Sequence, residues 1–322
     1  MPELISIVVP LYNEQESVRP LAEQIAAVMD AHALPYELLL VNDGSADQSW
    51  AAIAALAAEN PCIVGIDLAG NYGQTLSLRA GFERAKGDII IAMDGDLQHD
   101  PAYLPQFVAY IQEGYDMVGG AKAKRPEGAT RSLLANTAHK LISSISGVQL
   151  EYFGATYKAY RRYLLENVEL LGDSHRFLGA LVARKGIRYR EFPIEIHERQ
   201  FGTSNYGISK AFSVLVDLVM LRFFLRYSRK PFRLFGVVGI LSLLAGLLGT
   251  GSLLVGTVFF GVNIAQHFPM EFIFSLFLIM GGIFLISFGL LAEIGTYAYY
   301  ARRNRSPFVI RQVTRPRGGL TP

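Results

Sequence analysis

Cysteine is almost missing from this chain, which has one, Cys62, among 322 residues. A single cysteine excludes an internal disulfide framework and is typical of proteins that work in a reducing compartment. The N-terminus has no basic segment ahead of its first apolar stretch, Ile5 to Leu11. That stretch is too short for a signal peptide or a membrane span, so we expect the N-terminal part to stay in the cytosol.

Charge is missing from two long segments near the C-terminus. Residues 234–262 contain no charged side chain, and neither do residues 272–292. Each run exceeds the roughly 20 residues that cross a bilayer core. The sequence therefore predicts two transmembrane helices, over about 234–262 and 272–298. The first run is rich in glycine, which permits close helix packing and contacts between copies of the chain.

Lysine and arginine are missing from the short connection between these runs, residues 263–270. Basic residues are dense on the far side of each run: Arg222, Arg226, Arg229, Lys230 and Arg233, then Arg302, Arg303, Arg305, Arg311, Arg315 and Arg317. Because basic residues mark the cytoplasmic side of a membrane protein, we expect both chain ends in the cytoplasm. A multi-pass protein of the cytoplasmic membrane is predicted.

Apolar strands alternate with helical patterns through the first 120 residues. The predicted strands cover 4–11, 36–41, 63–68, the run that ends before Asp94, and 117–120. The predicted helices cover 14–31, 47–58, 73–86 and about 101–112. This alternation predicts an α/β domain with a mostly parallel sheet and helices on both faces.

Two carboxylates directly follow the apolar run that begins at Ile89. Asp94 and Asp96 are separated by one glycine, at the end of a predicted buried strand. Strand ends carry side chains to the edge where open α/β sheets bind ligands, and paired carboxylates there suit Mg²⁺ or Mn²⁺. Solvated acids in a turn are the alternative interpretation.

Basic residues are also frequent in the less regular region between 121 and 205, Lys158 among them. They indicate a solvated basic face, or contact with an anionic leaflet or a phosphate-bearing substrate. Residues 207–232 place apolar and basic positions with helical spacing, which predicts an amphipathic juxtamembrane segment. The expected domains are therefore 1–206, this segment, a membrane hairpin over 233–300, and a basic cytoplasmic tail over 301–322.

Three motifs, in order along the chain, resemble those of a known family. They are Val8-Val9-Pro10-Leu11-Tyr12-Asn13-Glu14, then Val41-Asn42-Asp43-Gly44-Ser45, then Ala85-Lys86-Gly87-Asp88 leading to Met93-Asp94-Gly95-Asp96-Leu97-Gln98. Together they resemble the family 2 inverting glycosyltransferases. The two C-terminal spans, and a segment at 199–206 that looks like the family's Arg…Gly-x-Ser-Lys-Tyr, narrow the resemblance to the polyisoprenyl-phosphate glycosyltransferases.

The resemblance implies a GT-A fold and a set of site residues. It implies donor contacts for Pro10, Tyr12, Glu14, Asp43 and Asp94. It implies metal ligation, of Mg²⁺ or Mn²⁺, by Asp96 and Gln98. It implies phosphate or acceptor contacts for Lys122, Arg125, Arg131, Arg199 and Ser204.

The activity implied is the inverting transfer of one sugar from a UDP- or GDP-sugar to a polyprenyl phosphate, undecaprenyl or dolichyl, at the cytoplasmic face. A homo-oligomer, with a tetramer as one form, is expected, and no nucleic-acid partner. Alternatives are a glycosyltransferase for another lipid or a polysaccharide, and a non-catalytic membrane scaffold that binds nucleotide sugars.

The acceptor side departs from the family pattern. The family's aspartate ahead of the Lys-Ala-Tyr-Arg-Arg segment is missing, since Tyr152 or Ala155 stands at its expected place, and Asn205 replaces a lysine. Glu151 is the nearest acid, and we expect it to act with Asp94 and Asp96 as a catalytic residue. A phosphate acceptor is already anionic near neutral pH, so it needs little help from a general base.

Overall fold

The computed structural model describes residues 3–122, 156–166, 168, 175, 178–183, 186–197, 231–261, 263, 267–301 and 308–314. The chain forms two compact units: Met1–Leu221 together with Ser306–Pro322, and Arg222–Arg305. Almost all of the predicted juxtamembrane segment lies outside the described residues, so it stays a prediction.

The first unit begins with the predicted alternation of strands and helices. Its elements are β1 (Ile5–Leu11), α1 (Val18–Ala31), β2 (Tyr36–Asn42), α2 (Ser49–Glu59), β3 (Ile63–Leu68), α3 (Gln74–Phe82) and β4 (Ile89–Ala92). Helix α1 starts four residues later than its apolar spacing predicts, because residues 13–15 bond to the neighbouring loop instead.

The later elements are shorter. A 3₁₀ turn at Pro101–Tyr103 leads into α4 (Leu104–Gln112), followed by β5 (Met117–Lys122), β6 (Lys158–Arg161), α5 (Arg162–Leu165), α6 (Leu178–Ala183) and β7 (Tyr189–Ile194). The two apolar helices are α7 (Phe232–Phe260) and α8 (Pro269–Ala301), and β8 (Ile310–Val313) comes last.

One sheet with the order β7-β5-β6-β4-β1-β2-β3-β8 organises the first unit. Strand β1 is parallel to both β2 and β4, and β2 is parallel to β3, whereas β6 and β8 run antiparallel to their neighbours. Helices α1, α2 and α4 cover one face, and α3, α5 and α6 cover the other. The chain leaves β1 toward β2 and returns to its other side at β4, which is the switch point where such sheets bind ligands.

The sequence predicts a basic tail over 301–322, and the structure places a strand, β8, within this range. Residues Ile310–Val313 pair antiparallel with β3 and extend the sheet. The amide of Ala69 donates to the carbonyl of Val309 at 2.8 Å, next to this pairing. Four residues are too few for a recognisable period in the sequence, and the strand depends on a partner more than 240 positions away.

The second unit confirms the two predicted candidate spans. Both helices are long and apolar enough to cross a membrane, and only 11% and 17% of their most apolar stretches is buried. A core helix of a soluble protein would be mostly buried, whereas these helices leave apolar side chains such as Leu248 and Phe259 exposed. This exposure is what a lipid environment requires of a spanning helix.

Glycine allows the two apolar helices to pack closely as an antiparallel hairpin. A Cβ on Gly239 would lie 2.8 Å from the carbonyl oxygen of Gly282, and one on Gly246 would lie 2.6 Å from that of Ser275. The hydroxyl of Ser242 donates to the carbonyl of Leu278 at 2.9 Å between these contacts. The glycine-rich pattern therefore serves packing within the hairpin.

Candidate functional site

The acid loop, residues 94–98, leaves β4 at the carboxyl edge of the sheet. Gly95 allows the loop to lie against β1, since an added Cβ would come within 2.4 Å of the Leu11 side chain. Leu97 has a positive φ of 61°, and Asp96 Oδ1 accepts the amide of Gln98 at 3.2 Å. This tight turn presents both Asp94 and Asp96, half-buried, at the switch point.

The first residue of α3 holds the side chain of Asp94. Its Oδ1 accepts a hydrogen bond from Gln74 Nε2 at 2.7 Å, and the same amide lies 3.4 Å from the hydroxyl of Thr156. Gln74 is the first residue of α3, and Thr156 comes two residues before β6. The orientation of Asp94 is thus fixed by elements on both sides of β4.

His99 lies beneath the acid loop. It is 6% exposed, and its Nδ1 is buried without a hydrogen-bond partner, 3.6 Å from Asp94 Oδ2. Burial lowers the pKa of His99, although Asp94 and Asp96 act to raise it. The ring is therefore neutral near pH 7, and it brings an imidazole nitrogen close to the two carboxylates.

Lys158 is also buried here, instead of belonging to a solvated basic face. It pairs with Gly119 of β5, which pairs in turn with Glu191 of β7. A Cβ on Gly119 would lie 3.5 Å from both Lys158 Cε and Glu191 Oε1, so the two side chains meet over the glycine. Burial lowers the pKa of Lys158 to about 8, against the opposing effect of Glu191 and Asp94. The site thus has a buried positive charge below its acids.

Asp43 organises the loop between β3 and α3. Its carboxylate is 3% exposed and accepts the backbone amides of Tyr72 at 2.8 Å and Gly73 at 2.9 Å. Gly44 follows with a φ of +65°, and a Cβ there would lie 2.3 Å from the backbone of Gly70. The predicted donor-binding acid therefore also holds the loop of residues 69–73, and only glycine fits beside it.

The first predicted donor loop, residues 12–17, is tied to the loop after β2. Asn13, at a φ of +54°, donates its amide to Ser45 Oγ at 2.9 Å, and its own side chain accepts the amide of Ala46 at 2.9 Å. The amide of Glu14 donates to Ser49 Oγ at 3.0 Å. The two loops form one hydrogen-bonded rim from which Tyr12, 48% exposed, reaches solvent.

The structure brings most of the predicted donor and metal residues to one edge. Pro10, Tyr12, Glu14, Asp43, Asp94, Asp96 and Gln98 all follow or end β1, β2 and β4. Lys122 ends β5 at the same edge, since β5 runs in the direction of β4. The other predicted site residues lie outside the described residues, so their roles stay predictions: Arg125, Arg131, Glu151, Arg199 and Ser204.

Several residues of the site were not singled out from the sequence. Gln74, His99 and Thr156 all touch or adjoin Asp94, and each lies next to a strand end at the same edge. His197 follows β7; its amide donates to the carbonyl of Gln98 at 2.9 Å, and its carbonyl accepts from the Gln98 side chain at 3.3 Å. Position after a strand was the signal available for Gln74, His99 and His197, whereas Thr156 precedes the antiparallel β6 and lacked that signal.

A comparison with protein families identifies the family of this chain. The model described as "Glycosyl transferase family 2" matches residues 6–169, about half of the chain. The chain belongs to glycosyl transferase family 2. The matched range runs from Ser6 in β1 through β6 and includes the acid loop, whereas Glu191 and His197 of the site lie beyond it.

Curated relatives of this family 2 chain align with it over nearly its full length. A dodecaprenyl-phosphate galacturonate synthase from Rhizobium johnstonii is 36% identical over 96% of this chain and 92% of its own. An undecaprenyl-phosphate 4-deoxy-4-formamido-L-arabinose transferase from Aeromonas hydrophila is 32% identical over 97% of this chain and 94% of its own.

Solved structures show that the fold of the first unit is GT-A. The glucosyl-3-phosphoglycerate synthase of Mycobacterium tuberculosis, in complex with phosphoglyceric acid, aligns with a TM-score of 0.53 at 18% identity, over 69% of this chain and 79% of its own. A complex of that enzyme with Mn²⁺ and UDP-glucose gives a TM-score of 0.51 at 16% identity, over 68% and 79%. At such identity the likeness carries the fold alone.

Proposed function

We propose that this chain transfers one sugar, with inversion, from a nucleoside-diphosphate sugar to a polyprenyl phosphate at the cytoplasmic face of the membrane. The observation that carries the proposal is the meeting of Asp43, Asp94 and Asp96 at one sheet edge, in a family 2 chain with two apolar helices. The names of both relatives, each a polyprenyl-phosphate sugar enzyme, support the choice of acceptor.

The donor is proposed to lie across the switch point. The rim at Tyr12 and the loop held by Asp43 offer a surface for the nucleoside, while the acid loop faces its diphosphate. Ligands of open α/β sheets lie in this crevice outside the carboxyl ends of the strands. UDP-sugars and GDP-sugars both fit this proposal, and the experiment below separates them.

A divalent cation is proposed at the acid loop. The donor set fits Mg²⁺ or Mn²⁺, because Asp96 supplies carboxylate oxygen, Gln98 an amide, and His99 a buried nitrogen with no hydrogen-bond partner. Among the described residues no group of three or more acidic, histidine or cysteine side chains could hold a metal alone. Such a site suits a cation that is shared with substrate phosphates, and when bound it would neutralise charge on the leaving diphosphate.

The transfer needs orientation more than proton removal. An ionised oxygen of the lipid phosphate attacks the anomeric carbon of the sugar as the bond from that carbon to the diphosphate breaks, and the nucleoside diphosphate leaves. Asp94, fixed by Gln74, lies next to Asp96 and is proposed to orient the donor. Glu151 and the other residues of the predicted acceptor side are proposed to serve the lipid phosphate: the basic Lys122, Arg125, Arg131 and Arg199, and the hydroxyl of Ser204.

The function is tested with purified full-length protein in detergent, Mn²⁺, undecaprenyl phosphate and a panel of UDP- and GDP-sugars. We expect one nucleotide sugar to give a glycosyl-phosphoryl lipid by mass spectrometry, with inverted anomeric configuration by NMR. Diacylglycerol and soluble polysaccharide serve as alternative acceptors. Transfer to those alone would contradict the proposed acceptor, and nucleotide-sugar binding without turnover on any acceptor would indicate a scaffold.

The proposed topology is tested separately in cells. Tags at residues 1 and 322 should be protected from an impermeant label in intact cells, whereas a tag near Gln266 should react. The reason is the lack of lysine and arginine between the spans, against the basic clusters on the other side. Labelling of one terminus but not the other would contradict a two-span hairpin with both ends inside.

A further inference from the structure

A buried carboxylate, Asp67, lies at the end of β3 below the donor loops. It is 2% exposed, and its Oδ1 accepts from Asn42 Nδ2 at 2.7 Å. Its Oδ2 accepts from a guanidinium nitrogen of Arg311, on β8, at 3.4 Å. A buried carboxylate is costly unless it is paired and hydrogen-bonded. Within the part of the chain that the structure describes, Arg311 of β8 is the one cationic side chain paired with Asp67.

Asn42 extends this contact to the rim of the site. Its Oδ1 accepts the amide of Ser45 at 3.3 Å, and Ser45 Oγ accepts the amide of Asn13 at 2.9 Å. Asn42 also directly precedes Asp43. A chain of hydrogen bonds therefore runs from Arg311 through Asp67 to both loops of the rim.

Strand β8 also holds the start of the loop of residues 69–73. A second guanidinium nitrogen of Arg311 donates to the carbonyl of Ala69 at 3.0 Å, and the amide of Ala69 donates to the carbonyl of Val309 at 2.8 Å. The far end of this loop supplies the two amides, of Tyr72 and Gly73, that Asp43 accepts. Arg311 and Asp43 therefore hold the same loop from its two ends.

We propose that Arg311 is a positioning residue for nucleotide binding. It fixes the two loops of the rim through Asp67, and it fixes the loop of residues 69–73 through the carbonyl of Ala69. The inference rests on the proposed function, and it adds to the site a residue that follows the membrane helices in the chain. Arginine suits this place because its planar fork reaches a carboxylate and a carbonyl with different nitrogens, whereas lysine offers a single point charge.

One consequence concerns soluble fragments of the protein. A fragment that ends before Phe232, the start of α7, lacks β8 and with it every contact of Arg311. Such a fragment keeps Asp43, Asp94 and Asp96, yet the loop of residues 69–73 loses its support at Ala69. Nucleotide binding is therefore best measured on the full chain.

The test compares R311A and R311K with R19A in the full-length protein. Arg19 is a matched control because its two guanidinium nitrogens bond the exposed carboxylate of Glu59 at 2.9 and 3.0 Å, on helices outside the site. We expect R311A to raise the Kd for UDP or GDP, and the donor KM, about tenfold, the scale of a lost charge-assisted hydrogen bond. The values of kcat and of the acceptor KM should change less than about twofold, since Arg311 acts on binding of the donor alone.

R311K should recover part of the nucleotide affinity, and R19A should bind like the wild type. Hydrogen exchange provides a readout that needs no ligand: the amides of Tyr72 and Gly73 should exchange faster in R311A but not in R19A. Where R311A does not fold, the milder R311K carries the same test. Unchanged nucleotide affinity together with unchanged exchange at Tyr72 and Gly73 would overturn the inference.

The two proposals fail in different ways. Wild-type protein that binds neither UDP nor GDP would overturn the proposed function, and the exchange rates of Tyr72 and Gly73 would still decide whether Arg311 controls the loop. A lower unfolding temperature of R311A, together with a fall in kcat and a rise in both KM values by similar factors, would identify β8 as a general structural element. That result would overturn a positioning role.

Discussion

Asp96→Asn should lower kcat by about 10²-fold or more, the scale of removing a key electrostatic contact to a developing charge. Asparagine keeps the shape of the side chain and an oxygen that can accept the amide of Gln98, which Asp96 Oδ1 accepts at 3.2 Å. It loses the negative charge that the proposed diphosphate-bound cation requires. Steady-state transfer assays, with Mn²⁺ varied, measure the effect.

Asp88→Asn is the matched control for this prediction. Asp88 is exposed and precedes β4, so it lies at the opposite end of the strand that leads into the acid loop. The control should keep wild-type kcat, and both variants should unfold at about the wild-type temperature. Near-normal transfer by Asp96→Asn, or full activity of the wild type in excess chelator, would contradict the metal role.

Asp43→Asn should raise the donor KM tenfold or more, because the cost of one unsatisfied buried donor is about 1–3 kcal/mol. The carboxylate accepts two backbone amides, those of Tyr72 and Gly73. An asparagine amide has one oxygen, so its NH₂ group would face one of these donors. The loop of residues 69–73 then loses one of its two bonds to Asp43.

Direct nucleotide binding by calorimetry measures this effect apart from the chemistry. Asp30→Asn serves as the control, since Asp30 is exposed near the end of α1. A variant with an unchanged donor KM and a much lower kcat would show that Asp43 serves the transfer step instead of the donor. Asp96→Asn should show the opposite pattern, with the larger change in kcat.

The sheet and the acid loop could be predicted because their signals are local. A leucine run that precedes Asn42-Asp43-Gly44 and an isoleucine run that precedes Asp94-Gly95-Asp96 mark buried parallel strands that end at one edge. The charge-free runs likewise predicted α7 and α8, since length and polarity alone decide whether a helix can span a bilayer. Family membership follows from the same short motifs, which the match over residues 6–169 contains.

Tertiary structure alone decided the partners of those residues. Lys158 looks like any basic surface residue in the sequence, and it is buried only because Gly119 and Glu191 come to its side across β5 and β7. Arg311 looks like a topology signal, and it bonds Asp67 only because β8 pairs with β3.

The burial of Lys158 and the contact between Arg311 and Asp67 both depend on strand pairing between positions far apart in the chain. No local period in the sequence encodes such pairing. The sequence by itself thus determined the sheet edge, the acids on it and the two apolar helices. The fold decided which buried charges those acids face and which strand holds their loops.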